Sequence, residues 1–381
     1  MTYPLAVIFI YPFVLLRKKN STHLFFFFDR YAIGGAQRIH IDILESVADI
    51  GKQVYFTRKS PNDKLKDAFY SIPNTDNKDI HFWCDNLLFR LFTVHFYAFY
   101  LNRHKKAHVF SSNSTFFYDM ISFLSKHVHT TELLHNFSYG KNGMEFFGLA
   151  NHQRLDNRVV YDNFTLSNIR KQYKEYGVND TFLQRILFIE PGIDVPAKKE
   201  KDYSLPIRIL YAGRGGPQKR VWLINRIAER ILTSNLPVQF EFVGPMADEL
   251  SEFIRSRSVI HGEVGSKNKM YDLYAKNHLL ILTSAYEGFP MVIKEAMANG
   301  TVPLVTALEG NKMHLKHEEN ALLIDAVEDE EEVVAKGIYQ IKYILENQNQ
   351  LATLSTRAYE YARLHFTKQP FFNKYRKFLL S

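Results

Sequence analysis

The sequence predicts an α/β protein of two domains, each with a parallel sheet covered by helices. At 381 residues the chain exceeds the roughly 250 to 300 residues at which single hydrophobic cores stop growing. Apolar residues make up 46% and charged residues 23% of it, as in globular proteins rather than disordered ones. Short apolar strands alternate with amphipathic helices along most of the chain, the pattern of βαβ units.

The expected first domain covers residues 21–196, with an opening strand at 23–28, a turn at Gly34 and Gly35, and a helix at 36–50. A lysine-rich stretch at 197–204 predicts a linker. The second domain is expected at 205–358, followed by terminal helices at 359–381. Further strands are predicted at 54–57, 107–111, 129–134, 158–161, 186–189, 207–211, 239–243, 259–261, 279–283 and 302–306.

Residues 1–20 are predicted to form an apolar leader. The uncharged, apolar run from Leu5 to Leu16 before Arg17 has twelve residues, too few for a membrane-spanning helix, which needs about 20. Pro4 and Pro12 are expected to interrupt a helix. A dispensable or membrane-touching leader and a strand of the core both fit this composition.

A second apolar, aromatic run fills residues 87–101 and ends in the basic stretch 103–106. Aromatic side chains with neighbouring cations can anchor a protein peripherally on an anionic membrane. A buried helix with a solvated basic end fits equally. The net charge of +8 does not decide between a membrane anchor and a buried helix. Residues 1–200 carry most of the positive excess, with 25 Lys and Arg against 19 Asp and Glu.

The most specific pattern is Glu287-Gly-Phe-Pro-Met-Val, placed between an apolar strand and a helix. Ligands of open α/β sheets bind at such carboxyl ends of strands, and Pro290 suits the first turn of a helix whose free N–H groups can hold phosphate. Gly288 permits close backbone approach. Glu287 and Glu295 can accept hydrogen bonds from sugar or ribose hydroxyls.

This segment resembles the E-x7-E motif of glycosyltransferase family 4, a retaining family with the GT-B fold. The resemblance implies two Rossmann-like parallel-sheet domains facing across a cleft. The acceptor would lie on the first domain and the nucleotide sugar on the second, with the terminal helices packing back on the first. It also implies that Glu287 faces the donor sugar and that Glu295 holds the ribose.

A glycine-rich loop after another predicted strand, Gly213-Arg-Gly-Gly-Pro-Gln-Lys219, carries two cations that can stabilise a diphosphate leaving group without a metal. It resembles the family's G-R-x-x-x-x-K loop, which implies that Arg214 and Lys219 bind the diphosphate. Arg220 stands where the family usually has glycine. A surface turn is the alternative.

The first domain carries weaker patterns. Gly34-Gly35-Ala-Gln-Arg resembles the family's G-G-A-E-R loop, with Gln37 replacing glutamate, and His135 resembles the family histidine near the donor sugar. A packing turn and a structural histidine are the alternatives. The resemblance thus assigns His135, Glu287, Arg214 and Lys219 to catalysis. It assigns to donor binding Gly34, Gly35, Gly213, Gly288, Phe289, Pro290, Met291, Val292 and Glu295.

The predicted function is retaining transfer of a hexose from a UDP- or GDP-type sugar to a glycan or lipid-linked acceptor, as in polysaccharide or lipopolysaccharide synthesis. No cofactor or metal is expected, since no D-x-D pair follows a predicted strand. A nucleotide-sugar epimerase of the same fold and a non-catalytic glycan-binding relative are alternatives. Nucleic-acid binding is suggested only by the pI of about 9.2. The single cysteine, Cys84, favours the cytoplasm. Peripheral contact with an anionic membrane is a further expectation.

Overall fold

The computed structural model describes residues 2–17, 22–138 and 143–381. It contains two compact units. The first comprises Met1–Glu190 with Gln369–Ser381, and the second comprises Pro191–Lys368.

The first unit is built on a seven-stranded parallel sheet. Its strands are β1 (Leu24–Phe28), β2 (Lys52–Phe56), β3 (Thr75–Asp79), β4 (His108–Ser112), β5 (His129–Leu133), β6 (Asn157–Val160) and β7 (Ile186–Phe188). Their order across the sheet is β3-β2-β1-β4-β5-β6-β7. The central strand β1 is fully buried and uninterruptedly apolar, as expected of a strand covered by helices on both faces.

The second unit has a six-stranded parallel sheet. Its strands are β8 (Ile207–Ala212), β9 (Val238–Val243), β10 (Val259–Gly262), β11 (Leu279–Leu282), β12 (Val302–Thr306) and β13 (Leu322–Ile324). The order β10-β9-β8-β11-β12-β13 is that of a dinucleotide-binding Rossmann sheet. The prediction of two Rossmann-like parallel-sheet domains is therefore confirmed.

Helices connect the strands and cover both sheets. They are α1 (Thr2–Leu16), α2 (Gly35–Glu45), α3 (Lys66–Tyr70), α4 (His81–Asp85), α5 (Leu87–Asn102), α6 (Thr115–Ile121), α7 (Met144–Ala150), α8 (Asn163–Glu175), α9 (Val221–Thr233), α10 (Glu252–Arg257), α11 (Lys267–Lys276), α12 (Met291–Met297), α13 (Glu309–Lys312), α14 (Glu330–Glu346), α15 (Gln348–His365) and α16 (Lys368–Leu380).

Alternation along β1 divides the core of the first unit. Phe25 and Phe27 pack with residues of α1, α5 and α6, whereas Phe26 and Phe28 pack with residues of α2 and α16. Successive side chains of a strand point to opposite faces. Five consecutive apolar residues therefore serve two helix layers at once.

The expectation that proline interrupts a helix in the predicted leader is wrong, because α1 is a helix with Pro12 inside it. A mid-helix proline costs about 3 kcal/mol. Packing compensates here, since Ile10 and Val14 are buried in the core and the Arg103 guanidinium donates to the carbonyls of Val14 and Arg17. Residues 18–20 of the predicted leader lie outside the described residues.

The boundary between the units comes earlier than the predicted linker. The Ile193 N–H donates to the Phe366 carbonyl at 2.7 Å, and Lys294 Nζ donates to the Pro191 carbonyl at 2.8 Å. Residues 191–196 therefore belong to the second unit. These bonds join residues far apart in sequence, so local composition does not reveal them.

The terminal helices divide between the units. Helix α15 stays with the second unit, whereas α16 packs on the first. The Arg376 guanidinium donates to both carboxylate oxygens of Asp49, at 2.5 and 2.8 Å, and Tyr375 is fully buried. The expectation that the terminal helices pack back on the first domain is right only for α16.

The sequence patterns missed two edge strands and misplaced one helix end. Strand β3 is polar and partly exposed, and β13 has only three residues, so neither carries a strong apolar signal. Helix α2 ends at Glu45 rather than near residue 50, where the Ser46 hydroxyl donates to the Ile43 carbonyl at 2.6 Å. No helix of the described residues is long and apolar enough to cross a membrane.

Candidate functional site

Two loops of the second unit meet where the strand order reverses. Strands β8 and β11 are neighbours, and from them the sheet grows in opposite directions. Ligands of doubly wound sheets bind outside the carboxyl ends of strands at this switch point. The loop at 213–220 follows β8 and the loop at 283–290 follows β11. Both are loops that the sequence predicted.

Lys219 and Glu287 join these loops. The ammonium of Lys219 forms an ion pair with the carboxylate of Glu287, and each side chain is only 13% exposed. Main-chain and side-chain bonds support the contact, because the Ala285 N–H donates to the Gln218 carbonyl at 2.9 Å and Gln218 Nε2 donates to the Tyr286 carbonyl at 3.0 Å. The structure thus brings two predicted catalytic residues into direct contact.

Arg214 lies in the same glycine-rich loop but reaches into solvent. Its guanidinium donates to Gln218 Oε1 at 3.4 Å, and its carbonyl accepts a bond from the Tyr211 hydroxyl at 2.6 Å. Burial and the carboxylates of Glu249 and Glu287 raise the pKa of Tyr211, so its phenol stays protonated and continues to donate. Arg214 therefore has a fixed backbone and an available cation.

Glu249 holds the glycine-rich loop from outside. Its Oε1 accepts a bond from the Gly216 N–H at 2.6 Å. A Cβ atom on Gly215 would lie 1.7 Å from that same oxygen, so a larger residue there would displace the Glu249 carboxylate from the loop. Gly213 is tight as well, since a Cβ there would lie 3.0 Å from the Tyr211 hydroxyl.

Arg220 is buried and adopts a left-handed backbone conformation with φ of 48°. Glycine tolerates such a conformation at little cost, whereas other residues lose about 1 to 2 kcal/mol. The side chain offsets this cost. Its guanidinium donates to the carbonyls of Thr283 at 2.8 Å, Val327 at 2.7 Å and Ser284 at 3.2 Å, and the Thr283 hydroxyl donates to the Arg220 carbonyl at 3.0 Å. The residue that departs from the family pattern therefore clamps the two loops together.

Backbone and side-chain contacts both hold the segment after Glu287. A Cβ on Gly310 would lie 1.5 Å from the Gly288 carbonyl, so α13 packs directly against this turn. The Phe289 ring lies 4.5 Å from the His314 ring and 5.5 Å from the Phe366 ring. This turn is therefore pinned on both sides.

Pro290 caps α12, which begins at Met291 rather than at the proline, and Met291 and Val292 are half-buried in its first turn. Glu295 is buried in the same helix, and its Oε2 accepts a bond from the Tyr274 hydroxyl at 3.1 Å. Glu287 thus contacts the glycine-rich loop, and Glu295 contacts α11. The separate roles of Glu287 and Glu295 stay predictions.

The remaining predicted residues lie in the first unit. Gly35 starts α2 after Gly34, and a Cβ on Gly34 would lie 2.4 Å from Gln37 Oε1. Gln37 Nε2 donates to the buried carboxylate of Asp29 at 3.4 Å. Burial raises the pKa of Asp29, and a glutamate at position 37 would add a second carboxylate there. Glutamine is thus the better partner.

His135 follows β5 and forms a buried pair with His40. Their Nε2 atoms are 2.9 Å apart, so one ring donates and the other accepts, and His40 stacks on Phe28 with 4.1 Å between ring centroids. Burial lowers the pKa of His135 to about 3. The pKa of His40 is lowered mainly by burial and to a smaller extent by the neighbouring His135. The predicted sugar-binding role of His135 stays a prediction, and His40 is a partner that the sequence patterns did not reveal.

The sequence reasoning also missed Gln218, Gly310, Tyr274 and the clamp formed by Arg220. In the sequence, Arg220 differs from the family only by replacing the usual glycine. A cation in place of a left-handed glycine does signal a compensating contact, because strain at such a position persists only when surrounding structure supports it. Tyr274 and Gly310 carry no signal that a single sequence provides.

The second unit also matches a known family. Residues 196–363 match the family model described as glycosyl transferases group 1. The matched segment lies within the second unit and covers less than half of the chain. The predicted enzyme class is confirmed at this level, whereas family 4 and the E-x7-E interpretation stay predictions.

A mannosylfructose-phosphate synthase of Agrobacterium fabrum (strain C58) is 26% identical to this chain over 140 residues. The match covers 37% of this chain and 26% of the relative. It therefore spans about a quarter of the relative's length.

Solved glycosyltransferases share the fold. HepE of Anabaena, solved with UDP, gives a TM-score of 0.72 at 14% identity and covers 94% of this chain and 100% of HepE. The lipopolysaccharide outer core galactosyltransferase WaaB gives 0.64 at 17% identity and covers 94% of this chain and 98% of WaaB. The predicted GT-B fold class is confirmed.

We expect Arg220→Ala to lower the free energy of unfolding of the second unit by about 2 to 4 kcal/mol, because two buried carbonyls and one half-buried carbonyl lose a charged donor. Urea unfolding of the full chain measures this loss. Arg214→Ala is the matched control, since its exposed guanidinium makes no comparable contact and stability should change by about 0.5 kcal/mol or less. Equal stability of the two variants would contradict the clamp.

We expect acid to destabilise the first unit through His40 and His135. Both rings are neutral when folded and titrate near pH 6.5 when unfolded, so stability is fully present above that pH and is lost as the pH falls. Each ring contributes a slope of about 1.4 kcal/mol per pH unit below 6.5. His135→Phe should remove one such slope from urea unfolding curves. A His135 ring that titrates near pH 6.5 by NMR in the folded protein would contradict this.

Proposed function

We propose that this protein is a retaining glycosyltransferase that moves a hexose from a UDP- or GDP-type sugar to a glycan or lipid-linked acceptor. The ion pair of Lys219 and Glu287, at the switch point of a Rossmann-ordered sheet, is the observation that carries the proposal. A cation and a carboxylate at the carboxyl ends of these strands suit a diphosphate and a sugar hydroxyl, which supports the proposal.

The charges around this pair suit donor binding. Arg214 offers a cation to solvent, and Lys219 can exchange the Glu287 carboxylate for a phosphate of the incoming donor. Glu287 is then released to accept a hydroxyl of the donor sugar. The pair therefore couples arrival of the diphosphate to recognition of the sugar.

In the proposed reaction the bond between the sugar C1 and the diphosphate oxygen breaks, and the acceptor oxygen bonds to C1 on the same face. The proton of the acceptor hydroxyl passes to the departing phosphate. Arg214 and Lys219 stabilise the charge that develops there. Two cations in this loop supply the role that a metal has in other transferases, so we propose metal-independent turnover.

Known relatives support the choice of substrate class. HepE has been solved with UDP-glucose, and WaaB is described as a lipopolysaccharide outer core galactosyltransferase. We therefore place the acceptor among cell-surface polysaccharides or lipopolysaccharides. We also propose a cytoplasmic site of action with peripheral membrane contact, since lipid-linked acceptors reside at that surface.

A panel of nucleotide sugars, incubated with lipid-linked acceptors with and without EDTA, tests the function. We expect release of nucleoside diphosphate, a product with the anomeric configuration of the donor by proton NMR, and unchanged rates in EDTA. An inverted product would refute the retaining mechanism. Epimerised sugar formed without an acceptor would favour the epimerase, and binding without turnover the non-catalytic relative.

Lys219→Met should lower kcat/KM for the donor by about 100-fold, because one preorganised cation at the leaving group is lost. Glu287→Gln should act on the same step. The exposed pair of Lys316 and Glu319, 3.5 Å apart in the same unit, provides matched controls as Lys316→Met and Glu319→Gln. These controls should retain full activity, and equal losses in both pairs would reject the site.

A further inference from the structure

Large apolar side chains are exposed together on one part of the first unit. Among the described residues, 12 of the 22 exposed large hydrophobic side chains lie on α1, α4 and α5. We call these the aromatic face: Phe9, Tyr11, Phe13, Leu15, Leu16, Phe82, Trp83, Leu87, Leu88, Phe89, Leu91 and Phe92.

The side chains form one continuous surface. Phe13 of α1 contacts Phe92 of α5, with ring centroids 6.3 Å apart. One turn earlier on α5, Phe89 lies 5.1 Å from Trp83 and 5.8 Å from Phe82. The contacts run from α1 across α5 to α4, so the consecutive helices α4 and α5 present one face together with α1, which is distant in sequence.

This surface is large for a monomer. Seven of its side chains are aromatic and roughly half exposed on average, and at about 200 Å² each they leave on the order of 700 Å² open before the leucines are counted. The largest patch of a typical soluble monomer is about 300 to 600 Å², and patches beyond that size mark interaction sites.

Helix α1 indicates what kind of partner covers the face. It contains no acidic or basic residue, and only Ile10 and Val14 of its described side chains are buried while Phe9, Phe13 and Leu16 face outward. A helix that is apolar on all sides requires apolar surroundings. With 15 residues it is short of the roughly 20 needed to span a bilayer.

The charges beside the face favour an anionic surface. Helix α5 contains no Asp or Glu, and Arg103 at its end holds the C-terminus of α1 through the Val14 and Arg17 carbonyls. Lys105 and Lys106 follow and are exposed. Asp85 is the only carboxylate within the described parts of these three helices. Polybasic segments beside apolar surface bind anionic headgroups, and each added cation strengthens the binding.

We propose that the aromatic face docks into the headgroup and upper acyl region of an anionic lipid bilayer, with α1 lying along the surface. Trp83 and Tyr11 then occupy the interfacial level that such side chains prefer, and the lysines after α5 contact phosphate groups. This proposal rests on the proposed function, because it assigns the membrane contact to a specific surface. Lipid binding can nevertheless be measured without glycosyl transfer. Its failure and a failure of the transferase assignment are therefore distinguishable.

The two tryptophans of the chain provide a matched pair of reporters. Trp83 lies on the aromatic face and is 48% exposed, whereas Trp222 lies on α9 of the second unit and is 37% exposed. Trp222→Phe leaves Trp83 as the only tryptophan, and Trp83→Phe leaves Trp222. With vesicles of phosphatidylcholine and phosphatidylglycerol, emission from Trp83 should shift to the blue and be quenched by brominated lipid. Emission from Trp222 should do neither.

Flotation with the same vesicles measures affinity. Leu88→Ser and Leu91→Ser should each weaken binding about tenfold, since each removes a leucine from the acyl region. Leu364→Ser, on an equally exposed leucine of α15, should leave binding unchanged. Replacing Lys105 and Lys106 with glutamine, or omitting phosphatidylglycerol, should weaken it several-fold. Thermal melts verify that each variant is folded.

Three results would overturn the proposal. One is flotation that is insensitive to the serine substitutions, and another is Trp83 emission unchanged by vesicles. The third is a doubled mass in light scattering that Leu88→Ser and Leu91→Ser return to monomer without effect on flotation, because the face would then be covered by a second copy of the chain.

Discussion

In the second unit β8 and β11 lie side by side, and the sheet grows from them in opposite directions. Their two loops are therefore not separated by the helices that cover the sheet. Lys219 and Glu287 therefore come into contact at the carboxyl ends of these two strands, although they lie 68 positions apart in the sequence. The candidate site depends on this constraint, because neither loop by itself presents both a cation and a carboxylate.

Buried cations hold the surroundings of the site. Arg220 binds three carbonyls at the ends of strands, Lys294 binds the Pro191 carbonyl, and Lys201 donates to the carbonyls of Tyr274 and Asn277. In the first unit Lys52 binds three carbonyls in the same way. Part of the positive charge is thus internal, which weakens the argument from net charge to nucleic acid.

The first unit has two unlike helix layers. On one side α2 and α16 complete an apolar core, in which Phe371, Tyr375 and Leu379 are buried. On the other side α1 buries Ile10 and Val14, whereas α5 buries its second half from Thr93 onward and exposes most of its first half. Both layers pack against the same strand, β1, so the fold is complete without covering the aromatic face. A partner at that face is consequently a matter of function rather than of folding.

The sequence by itself determined the fold class, most strand positions and the two loops of the site. Apolar runs and glycine turns are local signals, and a helix or strand forms largely from neighbours in sequence. Gln218, Tyr274 and Gly310 gave no such signal, because their roles arise from contacts with distant segments. Only the tertiary structure decided that Lys219 contacts Glu287 and that α1 and α5 share one exposed face. It also decided that the hydrogen bonds of Arg220 to distant carbonyls offset the cost of its left-handed backbone conformation. These depend on which strands become neighbours, and a periodic pattern in one chain does not encode that order.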